Sequence, residues 1–186
     1  QFEIQELQNR SIALADELEI PITKTIDALK HFKGVGRRFE TYKDLMFNKK
    51  SFTLVDDYGH HPVEIEAVLD AARDAYPNKS IHLVFQPHRY TRTRDCFDEF
   101  VRVLQKADKV LLTDIYSAGE KAIPGLSSMV MMDSMNKISN KVSFEKDITE
   151  LAKTALQHID QDSILIVMGA GSVGRVTKDI LNIVNT

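Results

Sequence analysis

Between residues 52 and 184 the chain repeats one rhythm: a short apolar, partly β-branched run, a loop crowded with polar side chains, then a stretch whose apolar positions recur three and four apart. Strand signals fall at 52–55, 81–85, 110–113, 142–144 and 164–168. Helix signals fall at 62–76, 94–107, 127–138, around Ile148, Leu151, Ala152 and Ala155, and at 173–184. Continuous apolar runs suit strands buried on both faces, and strands alternating with amphipathic helices pair in parallel. The expected fold is therefore α/β and Rossmann-like, a mostly parallel sheet with helices on both faces, preceded by a short helical hinge segment. Ligands of such sheets gather beyond the carboxyl ends of the strands, so the polar loops are where function is sought.

The chain before this rhythm reads differently. Ile4, Leu7, Leu14, Ala15 and Leu18 keep helical spacing, and the face they make is expected to be covered by something outside the segment. Pro21 interrupts the pattern, and Thr23 is placed to cap a second short helix with Ile26, Leu29 and Phe32 on one side. GVGRRFE, residues 34–40, reads as a loop presenting guanidinium groups to an anion, or as a solvated linker. The boundary between two parts is expected near residues 34–50.

The first polar loop is the densest. In FTLVDDYGHHP, residues 52–62, Asp56, Asp57, His60 and His61 follow a strand signal, Gly59 permits a turn, and Pro62 suits the first turn of a helix. Asp56, Asp57 and His61 could simply cap turn donors while His60 packs on the sheet, but four titratable side chains within six residues exceed what capping requires. The second loop, QPHRYTRTR, brings His88, Arg89, Arg92 and Arg94 to a helix N-terminus, where forked guanidinium bonds would hold a carboxylate or phosphate. The third, DIYSAGEKAIPG, offers Glu120 and Lys121 as substrate contacts or as a surface ion pair. The last, GAGSVG at 169–174, has the spacing of a dinucleotide fingerprint. It lies in the final strand-helix unit, with no room for the acidic ribose ligand that should follow, so close backbone approach is retained and NAD is not.

Other classes fit less well. The 186 residues carry a net charge of -3, which gives no excess of positive charge for a nucleic-acid backbone. No run is long and apolar enough to span a membrane, and no signal peptide opens the chain, so a cytoplasmic location is expected. The single cysteine, Cys96, sits beside Phe97 and Phe100 as core filler. His60, His61 and His88 lack the spacing of a protein-only zinc site, so no metal ligand set is expected. A phosphorelay receiver would share the acidic pair at a strand end but has no place for the basic QPHRYTRTR loop.

The motifs GVGRRFE, LVDDYGHHPVEIEAVLDAAR, FQPHRYTRTR, DIYSAGEKAIPG and VMGAGSVG, in this order and spacing, resemble the C-terminal third of the Mur ligase family. The resemblance covers roughly residues 11–184 and implies an ATP-dependent acid-amino-acid ligase of bacterial peptidoglycan precursor synthesis, joining L-alanine to UDP-N-acetylmuramate. It divides the chain into 1–36, a helical remnant and hinge from a central ATP-binding domain, and 37–186, a C-terminal amino-acid-binding ligase domain. By resemblance, Arg38 and Asp57 contact the nucleotide. His60, His88, Arg89 and Arg92 hold the amino acid, with His60 also catalytic. Ser117, Gly119, Glu120, Gly169, Ala170 and Gly171 line the substrate channel. ATP and Mg2+ serve the whole enzyme, with metal ligands mainly outside this chain. The P-loop pattern is absent from the sequence, so a fragment inactive alone is expected. Its partners would be L-alanine, ATP, UDP-N-acetylmuramate and the two other domains, with Tyr58 marking a homodimer contact. Ala122 stands where the family commonly has proline, and QFEIQELQNR departs from the usual hinge-helix motif. The alternative from another class is a free-standing small-molecule binding module for an amino acid or nucleotide.

Overall fold

A computed structural model describes residues 12–31 and 36–185. The chain divides into two compact units, Gln1–Gly36 and Arg37–Thr186. In the first, residues 12–17 are helical and helix α1 spans Ile22–His31. Pro21 separates them, its carbonyl accepting from Lys24 and Thr25. The second helix thus starts ahead of the expected cap at Thr23. Thr25 is buried while Ile26 is exposed, and Phe32 lies outside the described residues. Leu14, Leu18, Ile20 and Ile22 are also exposed and Ala15 is buried, while Ile4 and Leu7 lie outside the described residues.

The second unit opens with an element the sequence did not announce. Strand β1, Glu40–Phe47, turns through Asn48 and Lys49 into β2, Lys50–Asp57, its antiparallel partner. Asn48 and Lys49 both have positive φ, 48° and 67°, the conformation of a tight hairpin turn whose twist matches the strands. The expected rhythm then follows: α2 Pro62–Ala75, β3 Ile81–Phe85, α3 Tyr90–Asp95, α4 Phe97–Leu104, β4 Lys109–Leu112, α5 Ser128–Asn136, β5 Val142–Phe144, α6 Leu151–His158, β6 Ser163–Met168 and α7 Gly174–Val184. The single helix expected over 94–107 is two, meeting at Cys96, and the first of them begins before it.

The sheet order is β1-β2-β6-β3-β4-β5, parallel except for β1. Alternate strand residues feed two cores. Val55, Leu83, Phe85, Ile164, Ile166 and Met168 pack with Ile65 and Leu69 of α2, Phe100 and Val103 of α4, and Met131 and Met135 of α5. Leu54, Val84, Leu111, Leu165 and Val167 pack on the opposite face with Leu151 and Leu156 of α6 and Val176 and Ile180 of α7. Strand β6 lies between β2 and β3, yet its helix leaves toward the opposite face from theirs. Neighbouring strands whose connections part in this way open a crevice at their carboxyl ends.

Candidate functional site

Four loops surround that crevice, and each polar side chain in it answers to a local cause. At the end of β2, Asp56 and Asp57 are both only 4% exposed. Asp56 Oδ1 accepts from Arg37 Nε at 3.0 Å, while burial, outweighing that partner, lifts its carboxyl above the ordinary carboxylate range. Asp57 accepts from the backbone N–H groups of Phe39, at 2.8 Å, and Gly59, at 2.6 Å. Its contacts in the structure are therefore those of a turn cap. The Arg37 guanidinium reaches further, donating to the carbonyls of Gly169 at 2.8 Å and Asp57 at 3.3 Å. One anion expected of the GVGRRFE loop is thus Asp56 of the same chain. Arg38 is exposed, its guanidinium 5.1 Å from the centre of the Tyr58 ring.

The two adjacent histidines divide the work. His61 caps α2: its ring accepts from Val63 N at 3.5 Å, and Glu64 Oε2 accepts from the backbone of His61 at 3.0 Å and of His60 at 2.9 Å. Burial works against the Glu64 charge, but these two bonds hold its carboxyl below its usual range. His60 turns the other way. Its Nδ1 lies 3.1 Å from the Tyr58 carbonyl, and its ring meets Tyr58 edge-on at 5.5 Å and His88 at 5.4 Å.

Past β3, Arg89 adopts φ of 71°, which turns the chain sharply into α3. His88 Nδ1 and Arg92 Nη1 are buried with no hydrogen-bond partner. Burial first, then the neighbouring His60, Arg92 and Arg89, push the His88 imidazole below the ordinary histidine value. Arg94 leaves the cluster to pair with Asp95 at 2.7 Å, so two of the three expected arginines remain.

The loop after β4 joins this cluster. Glu120 accepts from Thr91 N at 2.9 Å and Thr91 Oγ1 at 2.8 Å, and faces Arg89 Nη1 at 3.5 Å. Its partners are therefore Thr91 and Arg89 rather than Lys121, and the Thr91 bonds, aided by Arg89, hold its carboxyl below the usual range. The Ser117 carbonyl accepts from Glu120 N, and Gly119 has φ of 86°.

After β6, the close approach expected of GAGSVG is made by the protein's own side chains. A Cβ on Gly171 would lie 2.5 Å from Gln86 Oε1 and 2.6 Å from Tyr116 Cγ, and one on Gly174 would lie 2.6 Å from Arg37 Nη1. Buried Gln86 also accepts from Val173 N at 3.0 Å and donates to the Asp114 carbonyl at 3.3 Å, tying the loop to its neighbour. Ala170 is half-buried in the same turn.

The crevice thus brings His60, His88, Arg89, Arg92 and Glu120 into one contiguous group, while Arg38 and Asp57 stand on its β2 side. Arg37, Gln86 and Tyr116 organise it and were missed by sequence reasoning. The paired arginines were a signal for the first, and nothing local marked the other two. A cavity of about 380 Å³ lies at the opposite end of the sheet, lined by His82, Lys109, Lys141 and His158 among others, and includes none of the candidate residues. Among the described residues no helix is long and apolar enough to cross a membrane, and no three His, Cys, Asp or Glu come together as metal ligands.

Residues 37–171 match the family model of the Mur ligase, glutamate ligase domain. The UDP-N-acetylmuramate--L-alanine ligase of Methylobacillus flagellatus is 48% identical over 179 residues, covering 93% of this chain and 38% of that protein. Its counterpart from Hydrogenovibrio crunogenus is 47% identical over 173 residues, covering 91% and 37%. The crystal structure of UDP-N-acetylmuramate-alanine ligase MurC from Thermotoga maritima superposes with a TM-score of 0.65 at 28% identity, covering 92% of this chain and 35% of that one. A murein peptide ligase from Psychrobacter arcticus shares the fold at 19% identity, with a TM-score of 0.68. The chain thus spans little more than a third of the relatives it matches.

Proposed function

The chain belongs to the Mur ligase family, and we propose that it is the amino-acid-binding part of an ATP-dependent ligase that joins L-alanine to UDP-N-acetylmuramate. The observation that carries this reading is the pair of buried, unpartnered nitrogens, His88 Nδ1 and Arg92 Nη1, on one turn beside the exposed Arg89 guanidinium. Arg92 Nη1 is a donor buried without an acceptor, which costs free energy that a carboxylate bound there would recover, at ~1.5–3 kcal/mol for a charge-assisted bond, and His88 Nδ1 would join it in its N–H form.

In this reading the muramoyl carboxylate takes the γ-phosphoryl group of ATP, the alanine amine attacks the acyl phosphate carbonyl, and phosphate leaves as the amide forms. The arriving amino acid is an ammonium and must lose a proton before it attacks. His60 is suited to accept it. A carbonyl can only accept a hydrogen bond, so the Nδ1 beside the Tyr58 carbonyl carries the proton of the neutral ring, and Nε2 is left with a free lone pair. Holding both reactants in register supplies much of the acceleration in such chemistry.

Arg38 and Asp57 are proposed to meet the nucleotide from the β2 side. Arg38 is free to do so directly; Asp57, already bonded to two backbone N–H groups, would use its remaining lone pairs or simply hold the turn. Residues 1–36 are proposed as a hinge and the tail of a central ATP-binding domain, and the remaining two thirds of the relatives' length as the source of the ATP, Mg2+ and UDP-sugar sites. Ser117, Gly119, Glu120 and Gly169 to Gly171 are proposed to border the substrate channel. Tyr58, 38% exposed, is the proposed self-association contact.

The test is the L-alanine dependence of phosphate release by the full-length enzyme supplied with ATP and UDP-N-acetylmuramate. Arg92→Ala should raise the KM for L-alanine by about tenfold to a hundredfold, the loss of one charged bond, with the KM for ATP unchanged. An unaltered L-alanine dependence in Arg92→Ala and Arg89→Ala would remove the amino acid from this loop.

A further inference from the structure

We infer that Tyr116 is a positioning residue: its ring and backbone hold the His88 imidazole in the orientation that leaves Nδ1 buried and unpartnered. Tyr116 and His88 form a parallel β-bridge beyond the ends of β3 and β4. Tyr116 N donates to the Pro87 carbonyl and Arg89 N donates to the Tyr116 carbonyl, both at 2.8 Å, so the backbone on either side of His88 is pinned to one residue. On the same side of this rung the two rings stack, centroids 5.4 Å apart and planes within 16°. The stacked pair leaves the imidazole one plane in which to lie.

Tyr116 is itself held from behind. A Cβ at Gly171 would stand 2.6 Å from Tyr116 Cγ and 2.8 Å from its Cβ, so the ring lies where only glycine leaves room. The close approach at the second glycine of GAGSVG is thereby explained: the loop is shaped there around an aromatic ring of the chain. The His60 ring also meets the imidazole, tilted by 58° with centroids 5.4 Å apart. The charged and titratable groups acting on His88 are His60 from the loop after β2, Arg89 and Arg92 from its own turn, and Glu120 from the loop after β4. Burial and the three potential cations all favour the neutral ring, and Glu120 alone opposes. A neutral, immobile imidazole offers a lone pair or an N–H at a defined point, which a freely rotating one does not.

The inference rests on the proposed amino-acid site for its catalytic consequence, while the placement of His88 is a property of this chain alone. The experiment therefore has two arms. In the first, the histidine rings of the 186-residue chain are titrated by ¹⁵N NMR in the wild type, Tyr116→Phe, Tyr116→Leu and Tyr116→Ala. Phe keeps the stacking face and should leave the His88 midpoint below 6.5, the ordinary value. Leu and Ala should move it upward, toward or past that value, with averaged ring shifts. His82, at the far end of the sheet, reports an intact fold by keeping its own midpoint. A His88 titration in the folded Leu or Ala variant that matches the wild type overturns the inference. In the second arm, the full-length enzyme carrying Tyr116→Leu should show a KM for L-alanine raised about tenfold, the low end for one lost charged bond, with Phe restoring it. A shifted His88 titration with unchanged L-alanine dependence would keep the positioning role and count against the amino-acid site. Unchanged titration with a working site in the wild type would do the reverse.

Discussion

Arg37 and Gly169 lie 132 positions apart in the chain and are joined by a 2.8 Å hydrogen bond from the guanidinium Nη2 to the glycine carbonyl. The same guanidinium holds Asp56, so one side chain at the first position of the second unit cross-links the ends of β2 and β6. Gly169 has φ of 144°, a backbone open to glycine, and its carbonyl faces Arg37 as a result. Removing Arg37 strands the Asp56 carboxylate in a buried position. Arg37→Met should cost about 1–3 kcal/mol, the usual loss when a buried acceptor is left without its donor, since the guanidinium itself is partly exposed. Arg37→Met with Asp56→Leu should recover most of it, because no charge is left unpaired. Urea unfolding midpoints of the three proteins check this, and a double variant as weak as the single one would refute it.

The glycines differ in what they protect. At Gly171 an added methyl meets buried Gln86, which cannot withdraw without breaking its bonds to Val173 and Asp114, and the Tyr116 ring, which cannot shift without disturbing its stack on His88. Overpacking of this kind costs about 1–3 kcal/mol. Gly119 has φ of 86° with nothing within 4 Å of an added Cβ, so Gly119→Ala bears only the left-handed backbone penalty of about 1–2 kcal/mol. Both substitutions should lower the thermal midpoint. Only Gly171→Ala should also disturb the His88 ring resonances, and equal disturbance by both would show the Gly171 contacts to be soft.

These two cases mark where sequence reading succeeds and where it stops. The continuous apolar runs and the period-3.6 patterns after residue 52 located the parallel strands and their helices, because a strand covered on both faces is apolar throughout while a helix covered on one face is apolar at every third and fourth residue. Strand β1 went unseen because its alternation is broken by an irregularity between Tyr42 and Leu45, with Asp44 at φ of 57°, and its turn uses Asn48 and Lys49 without a glycine. In the site, His60, His88, Arg89 and Arg92 were visible as unusual residues at strand exits. Arg37, Gln86 and Tyr116 were not, since what makes them important is a partner 19 to 132 positions away. Long-range pairing is a property of the fold, and no local window contains it.

His82 supplies a pH prediction away from the site. It is 4% exposed, and burial, opposed by Asp160 at 2.9 Å, keeps its imidazole below the ordinary value of about 6.5. As pH falls, the unfolded chain therefore takes up this proton before the folded one does. Stability from this group is present above about pH 6.5 and is lost as pH falls through that value toward the depressed folded one. His82→Leu should flatten the pH dependence of the urea midpoint between about pH 5 and 7 relative to the wild type. A wild-type midpoint that rises on acidification across that range, and loses the rise in His82→Leu, would show the sign to be wrong.

Glu120 separates two roles that its contacts combine. Its carboxylate accepts from both the backbone and hydroxyl of Thr91, which fixes the first turn of α3, and it faces Arg89, which it partly neutralises. Glu120→Ala removes both: the turn bearing Arg89 and Arg92 loosens, and a bound amino acid loses ordered partners. Glu120→Gln keeps an oxygen for Thr91 but drops the charge, so Arg89 is released from a competing carboxylate while the turn stays in place. If the proposed amino-acid site is correct, the two substitutions move the full-length enzyme in opposite directions. The KM for L-alanine should rise in Glu120→Ala and fall or hold in Glu120→Gln, with amide exchange at Thr91 faster in the first alone. Initial rates against L-alanine concentration test this directly. A rise of equal size in both would mean that the Glu120 charge itself serves the substrate, as an acceptor for the ammonium, and not as a brake on Arg89.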